Sequence, residues 1–299
     1  MLIWIYAAIA GYFLSACSKV LDKIILARAI PDPIVFTVFA GLLSGFVVIL
    51  MPFGFSFISG SVFVLSLAAG MCVLASLYFL YSALQVYDAS RVVPLVVSMS
   101  PFITLGLSFL FLQNTPTAYE LYAFLFLIVG GLLLSFNPRT TQKIKSDLLL
   151  KSFIAGLFLS GSLVFTKLVF TNTLFINGVI WTRLGIFISA ILLLIFPRVR
   201  KAMSTAPRLK VKYGSIFVTN KIIGALGLLS INYAISIGSP ALVNALGSFE
   251  YLFIFLLSIA LTIIAPRLLR EDISRSALAL KLSGSLALGV SLFFLFYSQ

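Results

Sequence analysis

Histidine does not occur anywhere in this chain of 299 residues. Its absence removes a Ser-His dyad, a His-ligated zinc centre and a His general base. Cysteine is almost missing too. Cys17 and Cys72 both fall in apolar stretches, with no zinc-like spacing and no reason to expect a disulfide. Acids number 8 against 21 Lys and Arg, and no two of them pair inside an apolar run as an aspartyl protease would need. No Gly-x-x-x-x-Gly-Lys-Ser/Thr sequence is present, so ATP hydrolysis is not expected. An intramembrane enzyme is therefore disfavoured, and neither a metal nor another cofactor is called for.

What fills the chain is apolar: 61% hydrophobic residues, only 10% charged, and a mean hydropathy of +1.17. A soluble domain of this size cannot bury that much apolar surface, so the solvent is lipid. At ~20 residues per span, the runs fit about ten helices, near 2–21, 34–52, 62–86, 92–112, 118–136, 152–170, 178–196, 214–237, 241–264 and 277–296. They are too long and too uniform for alternating barrel strands. Residues 1–18 lack a basic n-region, so no removable signal peptide is expected.

Residues 10–15 read Ala-Gly-Tyr-Phe-Leu-Ser and residues 155–160 read Ala-Gly-Leu-Phe-Leu-Ser, a shift of 155 − 10 = 145. The corner at residues 81–89 parallels that at 232–240, with Ala83 opposite Ala234 and a shift of 234 − 83 = 151. Each corner is a short small-residue turn that holds two helices close. Five spans per half is an odd number, so the second half enters the membrane inverted. The expected fold is an all-α integral membrane protein of two inverted five-helix repeats, 1–137 and 152–299, joined by a basic linker at 138–151. Pro94 and Pro101 are expected to break the fourth span.

The net charge of +13 would point to nucleic acid in a soluble protein. Here the basic residues gather after odd-numbered spans: Lys23 and Arg28; Arg139, Lys143 and Lys145; Arg198, Arg200, Lys201, Arg208, Lys210 and Lys212; Arg267, Arg270 and Arg275. Cationic loops stay cytoplasmic. The expectation is a multi-pass protein of the cell (inner/cytoplasmic) membrane with both termini extracytoplasmic. Its basic loops meet anionic lipid rather than nucleic acid.

An ionisable side chain in hydrocarbon costs ~2.5–3.5 kcal/mol even on a lenient scale. Those needing an explanation are Glu250, Lys167, Arg183 and Lys221, with Lys19 and Asp22 nearer the inner surface. Glu250 is the acid nearest mid-span; it is either a proton-coupling or substrate-cation group or half of a structural ion pair. Lys167 and Arg183 flank one outer loop and either snorkel to headgroups or face the interior. Helical spacing puts Lys221, Ala225, Leu228, Asn232 and Ser236 on one stripe, and Asn244, Ser248 and Tyr251 on another. Such stripes line a cavity or glue helices together by hydrogen bonds. The pairs Ser15–Asp22 and Ser160–Lys167 occupy equivalent repeat positions and are candidates for a central seam. Trp4 and Trp181 suit interfacial anchoring, with Trp181 also in reach of Arg183 for a cation–π contact. The abundant Phe residues read as lipid-facing surface.

These residues, in this order, resemble EamA-type members of the drug/metabolite transporter superfamily. Ser100-Pro101 followed by Leu112-Gln113-Asn114 resembles the family's Ser-Pro motif and downstream Gly-Glu, with Asn114 where Glu is usual. Trp181-Thr182-Arg183 resembles its helix-start Arg, and Phe249-Glu250-Tyr251 its Leu-Glu-Pro element. The usual Trp-Gly of the first helix is absent, and Phe39 stands in the slot matching Arg183. The resemblance implies a ten-helix fold and a secondary transporter moving a small organic metabolite, such as an amino acid or organic anion. A non-transporting scaffold or accessory subunit of a transport or lipid-translocating complex is the alternative. A channel is disfavoured by the lack of a filter-like segment.

Overall fold

The computed structural model describes residues 3–26, 32–84, 86, 89–113, 116–135, 146–205, 214–264 and 275–297. Among these there is no strand. The chain is an all-α, multi-pass membrane protein; among the described residues seven helices are long and apolar enough to cross a bilayer, with three shorter apolar segments at Met99–Leu112, Ala118–Leu133 and Ile222–Ile237.

It divides into two compact units, each drawing helices from both halves of the sequence. The sequence repeats and the compact units are thus different partitions of the chain. The first unit comprises Met1–Ala29, Thr115–Lys143 and Leu209–Gln299. It holds α1 (Ile3–Leu26), α5 (Ala118–Ser135), α9 (Gly214–Ile237), α10 (Pro240–Leu246), α11 (Ser248–Ile264) and α12 (Arg275–Tyr297). The second comprises Ile30–Asn114 and Ile144–Arg208. It holds α2 (Pro33–Leu43), a 3-10 helix (Ser44–Phe53), α3 (Gly60–Leu84), α4 (Ala89–Leu112), α6 (Ser146–Thr171), α7 (Phe175–Leu193) and α8 (Pro197–Ser204).

In the first unit α1 runs antiparallel to α9. Ser230 Oγ donates to Ala7 O at 2.8 Å, and Ser18 Oγ to Asn220 O at 3.3 Å. Between these bonds Gly11 and Gly227 let the backbones touch. A Cβ on Gly11 would lie 2.9 Å from Gly227 O, and one on Gly227 would lie 2.9 Å from Gly11 O. Small residues are how membrane helices gain dispersion contact when lipid gives no hydrophobic drive to pair them. α5 and α12 pack antiparallel through Tyr119–Tyr297 and Phe126–Phe294 ring contacts, with Gly130 against Leu288.

In the second unit α3 runs antiparallel to α6: Ser76 Oγ donates to Ala155 O at 2.9 Å, and Cys72 lies against Gly161. It crosses α7 where Gly70 and Gly185 meet and a Cβ on Gly185 would strike Ser66 O. Pro33 opens α2, where Asp32 caps Ile34 N–H at 2.8 Å, satisfying one of the orphan donors of a helix start. Ala83 and Ala234, opposite each other in the repeated corners, are both fully buried.

Two expectations are corrected here. α4 runs unbroken from Ala89 to Leu112 through Pro94 and Pro101. Each proline removes one N–H donor, but in hydrocarbon the helix is still the conformation that satisfies the remaining groups. Side-chain hydroxyls add donors beside Pro101, where Thr104 Oγ1 and Ser160 Oγ both reach Ser100 O at 2.8 Å. Nor is all of 138–151 linker. α6 begins at Ser146, and Asp147 in its first turn meets Lys151 at 2.8 Å, an i,i+4 pair favoured at a helix N-terminus. Residues 136–145 lie outside the described residues.

Candidate functional site

The break that Pro94 and Pro101 do not make occurs instead in the ninth span. Pro240 starts α10, Leu246 ends it, and α11 begins at Ser248. At Gly247 the backbone tightens: its N–H bonds Asn244 O at 3.0 Å, and Glu250 N–H bonds Gly247 O at 3.0 Å. Val243 O therefore gives up its ordinary partner four residues on. The Tyr12 phenol supplies a substitute, donating to Val243 O at 2.8 Å from α1. Its ring lies against Gly247, where a Cβ would be 3.4 Å from the Tyr12 ring.

Glu250 sits in the first turn of α11, just past the tightened backbone at Gly247. Its Oε2 accepts from Lys19 Nζ at 2.7 Å. The two side chains are unlike in exposure, 54% for Lys19 and 7% for Glu250. Glu250 Oε1 is buried with no hydrogen-bond partner. Edge-to-face packing of Phe13 on Phe253, centroids 5.3 Å apart, fixes α1 beside α11 at this level. Glu250 lies 250 − 240 = 10 residues into the span, about 15 Å along the axis at ~1.5 Å per residue. A charge pair at that depth is expensive and calls for a functional or structural reason.

The remaining sequence candidates fall out as follows. Tyr251 is half-buried next to Glu250, and Ser248 is buried with its hydroxyl against Gly131 of α5. Asn244 lies on α10, so the helix break separates it from Ser248 and Tyr251 and the expected continuous stripe is interrupted. On α9 Asn232 is buried, whereas Ala225 and Leu228 are exposed and Ser236 bonds Tyr233 O of its own helix at 2.7 Å; this stripe does not keep one environment. The side chains of Lys221, Asp22 and Pro94 lie outside the described residues.

Lys167 on α6 and Arg183 on α7 belong to the second unit, and both are half-buried. Trp181 does not engage Arg183. It stacks on Phe55 at 5.5 Å and donates Nε1–H to Ser56 O at 2.9 Å. Asn177, unnoticed in the sequence, completes that clamp by bonding Ser56 N at 3.0 Å and Ser56 Oγ at 2.8 Å. Trp4 is no interfacial anchor either; it is 6% exposed and packs against Gly238. Ser160, a candidate for a seam with Lys167, joins α6 to α4 instead: its hydroxyl bonds Ser100 O and Gly156 O, both at 2.8 Å.

Sequence reading missed Tyr12 and the partnership of Lys19, and it missed Lys281. The last is buried on α12, its Nζ 3.9 Å from the centre of the Phe255 ring, a cation–π contact. Phe255 follows Tyr251 by four residues, which is the one signal that could have directed attention there.

No family model and no curated protein matches the chain. Among 25 solved chains that do match, a crystal structure described only as "Crystal structure of protein" aligns with a TM-score of 0.63 and 16% identity, covering 97% of this chain and 96% of its own. At that identity the likeness is one of fold, and it spans essentially the whole of both chains.

Proposed function

We propose that the protein is an EamA-type secondary transporter of ten spans in two inverted five-helix repeats, moving a small organic metabolite by alternating access with Glu250 as the proton-coupling group. The observation that carries this reading is the Lys19–Glu250 pair at the broken ninth span. Helix breaks with ionisable groups deep in the bilayer are the form that solute sites take in carriers built from inverted repeats. Support for the repeat comes from packing inside each unit. α1 is antiparallel to α9 and runs parallel beside α10 and α11, where Tyr12 meets Val243 and Lys19 meets Glu250. α6 is antiparallel to α3 and runs parallel beside α4, where Gly156 faces Val96 and Ser160 meets Ser100. In both cases the first helix of one half packs on the third and fourth spans of the other half. Fold alone does not fix activity, so the reading stands on this pair of a buried Glu250 and an exposed Lys19.

Purified protein in liposomes is expected to accelerate flux of at least one solute among amino acids, organic anions and nucleosides. Flux equal to that of protein-free liposomes for all of them would favour the scaffold reading. Both termini are placed outside by the basic loops. A reporter fused after Gln299 that is active only in the cytoplasm stays silent on this topology, and strong activity overturns it.

A further inference from the structure

We propose that α8 is a docking site for an anionic phospholipid of the surrounding bilayer, with Arg198, Arg200 and Lys201 taking its phosphate and Ile195 and Phe196 meeting its acyl chains. This does not rest on the transport reading. A tight turn closes α7, where Leu194 N–H bonds Ile191 O at 3.0 Å and Phe196 N–H bonds Leu193 O at 3.2 Å, and α8 starts at once with Pro197. It packs on α2 with Val199 buried and Ala202 and Met203 partly so, a single face by helical spacing. Arg198, Arg200 and Lys201 all lie off that face and are exposed. Ile195 and Phe196, 66% and 60% exposed, stand immediately before them. Exposed apolar side chains beside cations on a short amphipathic helix are the arrangement of a segment lying at the headgroup boundary.

Helix stability does not account for Arg198. It occupies the first turn, where a cation opposes the helix dipole, and Phe196 at the cap offers no side-chain acceptor. Nor does a carboxylate of this chain answer the charge. The sequence holds no Asp or Glu between Asp147 and Glu250. Asp147 meets Lys151, Asp32 caps α2, and among the described residues none of the three cations meets a carboxylate. The far end of α8 is closed by hydroxyls, with Ser204 Oγ and Thr205 Oγ1 donating to Lys201 O at 2.9 and 3.0 Å. The counter-charge therefore comes from outside the chain. Attraction of a basic loop to a leaflet needs net charge alone, whereas here one folded helix presents the three cations together beside an apolar pair. A guanidinium holds a phosphate through paired N–H donors, and each cation near an anionic leaflet adds to the attraction. With the termini outside, α8 lies at the inner face.

The test titrates full-length protein in nonionic detergent with phosphatidylglycerol, phosphatidylcholine or inorganic phosphate and follows the melting temperature. Phosphatidylglycerol is expected to raise it by at least about 3 °C, as a ligand of the folded state does, with phosphatidylcholine and inorganic phosphate leaving it unchanged. The triple variant Arg198→Gln, Arg200→Gln, Lys201→Gln is expected to lose that rise. Its control, Arg208→Gln, Lys210→Gln, Lys212→Gln, removes the same charge from the following stretch of the loop and is expected to keep it. Should the triple variant fail to fold, the three single Gln variants replace it, each with a smaller rise than the parent; the full rise in all three overturns the proposal. An equal loss in the two triple variants shows diffuse attraction in place of a site and overturns it. So does a rise produced equally by phosphatidylcholine or by inorganic phosphate, or no rise with phosphatidylglycerol. Flux plays no part in the readout, so the transport reading stands or falls separately.

Discussion

The helix that opens each half of the chain carries nearly the same six residues, yet the two copies are put to opposite uses. At residues 10–15 and 155–160 the one difference is Tyr12 against Leu157. Tyr12 supplies the donor that the broken ninth span needs, and seven residues on Lys19 holds Glu250. Leu157 is partly exposed, and α6 lies against an unbroken α4 through serine hydroxyls and backbone. The position 145 residues after Lys19 is Val164, which is buried and apolar. A phenol and an ion pair join the helices at the first corner, and serine hydroxyls at the second. The proposed duplication accounts for the common packing, and the change from Leu157 to Tyr12 and from Val164 to Lys19 accounts for the different bonds at the two corners.

The strongest test of that asymmetry sets Glu250→Gln beside Ser100→Ala. The first is expected to abolish accumulation driven by an imposed pH gradient, while the second leaves it at the parent level; equal loss in both would make the two corners functionally alike. Next in size is the glycine of the repeated hexapeptide. A methyl on Gly11 meets Ile231 at 2.7 Å and Gly227 O at 2.9 Å, but one on Gly156 finds nothing nearer than 3.7 Å. Gly11→Ala should cost ~1–3 kcal/mol by overpacking and lower the melting temperature in detergent, with Gly156→Ala close to the parent. Tyr12→Phe strips the donor from Val243 O and is expected to cost ~1–2 kcal/mol, read by the same melts. Leu157→Phe, with no such bond to lose, serves as the matched control. Smallest is Ser160→Ala, at ~0.6 kcal/mol, the average for a hydrogen bond between membrane helices; a drop as large as that of Tyr12→Phe would erase the distinction.

Much of the fold was legible because hydrophobic length is a one-dimensional property. The span expected at 214–237 coincides with α9, and the others overlap helical segments with shifted ends, the second continuing as a 3-10 helix from Ser44 and the ninth divided at Gly247. The failures were of two physical kinds. Prolines advertise a missing hydrogen bond in sequence, but α4 stays helical through both, because in hydrocarbon the helix still satisfies the remaining backbone groups. Gly247 advertises little, and the break there depends on a phenol 231 residues away in sequence from Val243. Trp4 has the composition of an anchor and the location of a core residue because Gly238 leaves room for it.

Composition, hydrophobic period and charge placement by themselves determined that this chain is a helical protein dissolved in lipid, since those depend only on what each segment exposes to its solvent. Glu250 was singled out for the same reason: a carboxylate in an apolar run has to be explained wherever it points. Which cation answers it, that the answering helix comes from the opposite half of the chain, and that the ninth span rather than the fourth is interrupted were decided by tertiary structure alone. Those depend on distances across 231 residues of sequence, and no local pattern encodes which side chain will arrive at 2.7 Å.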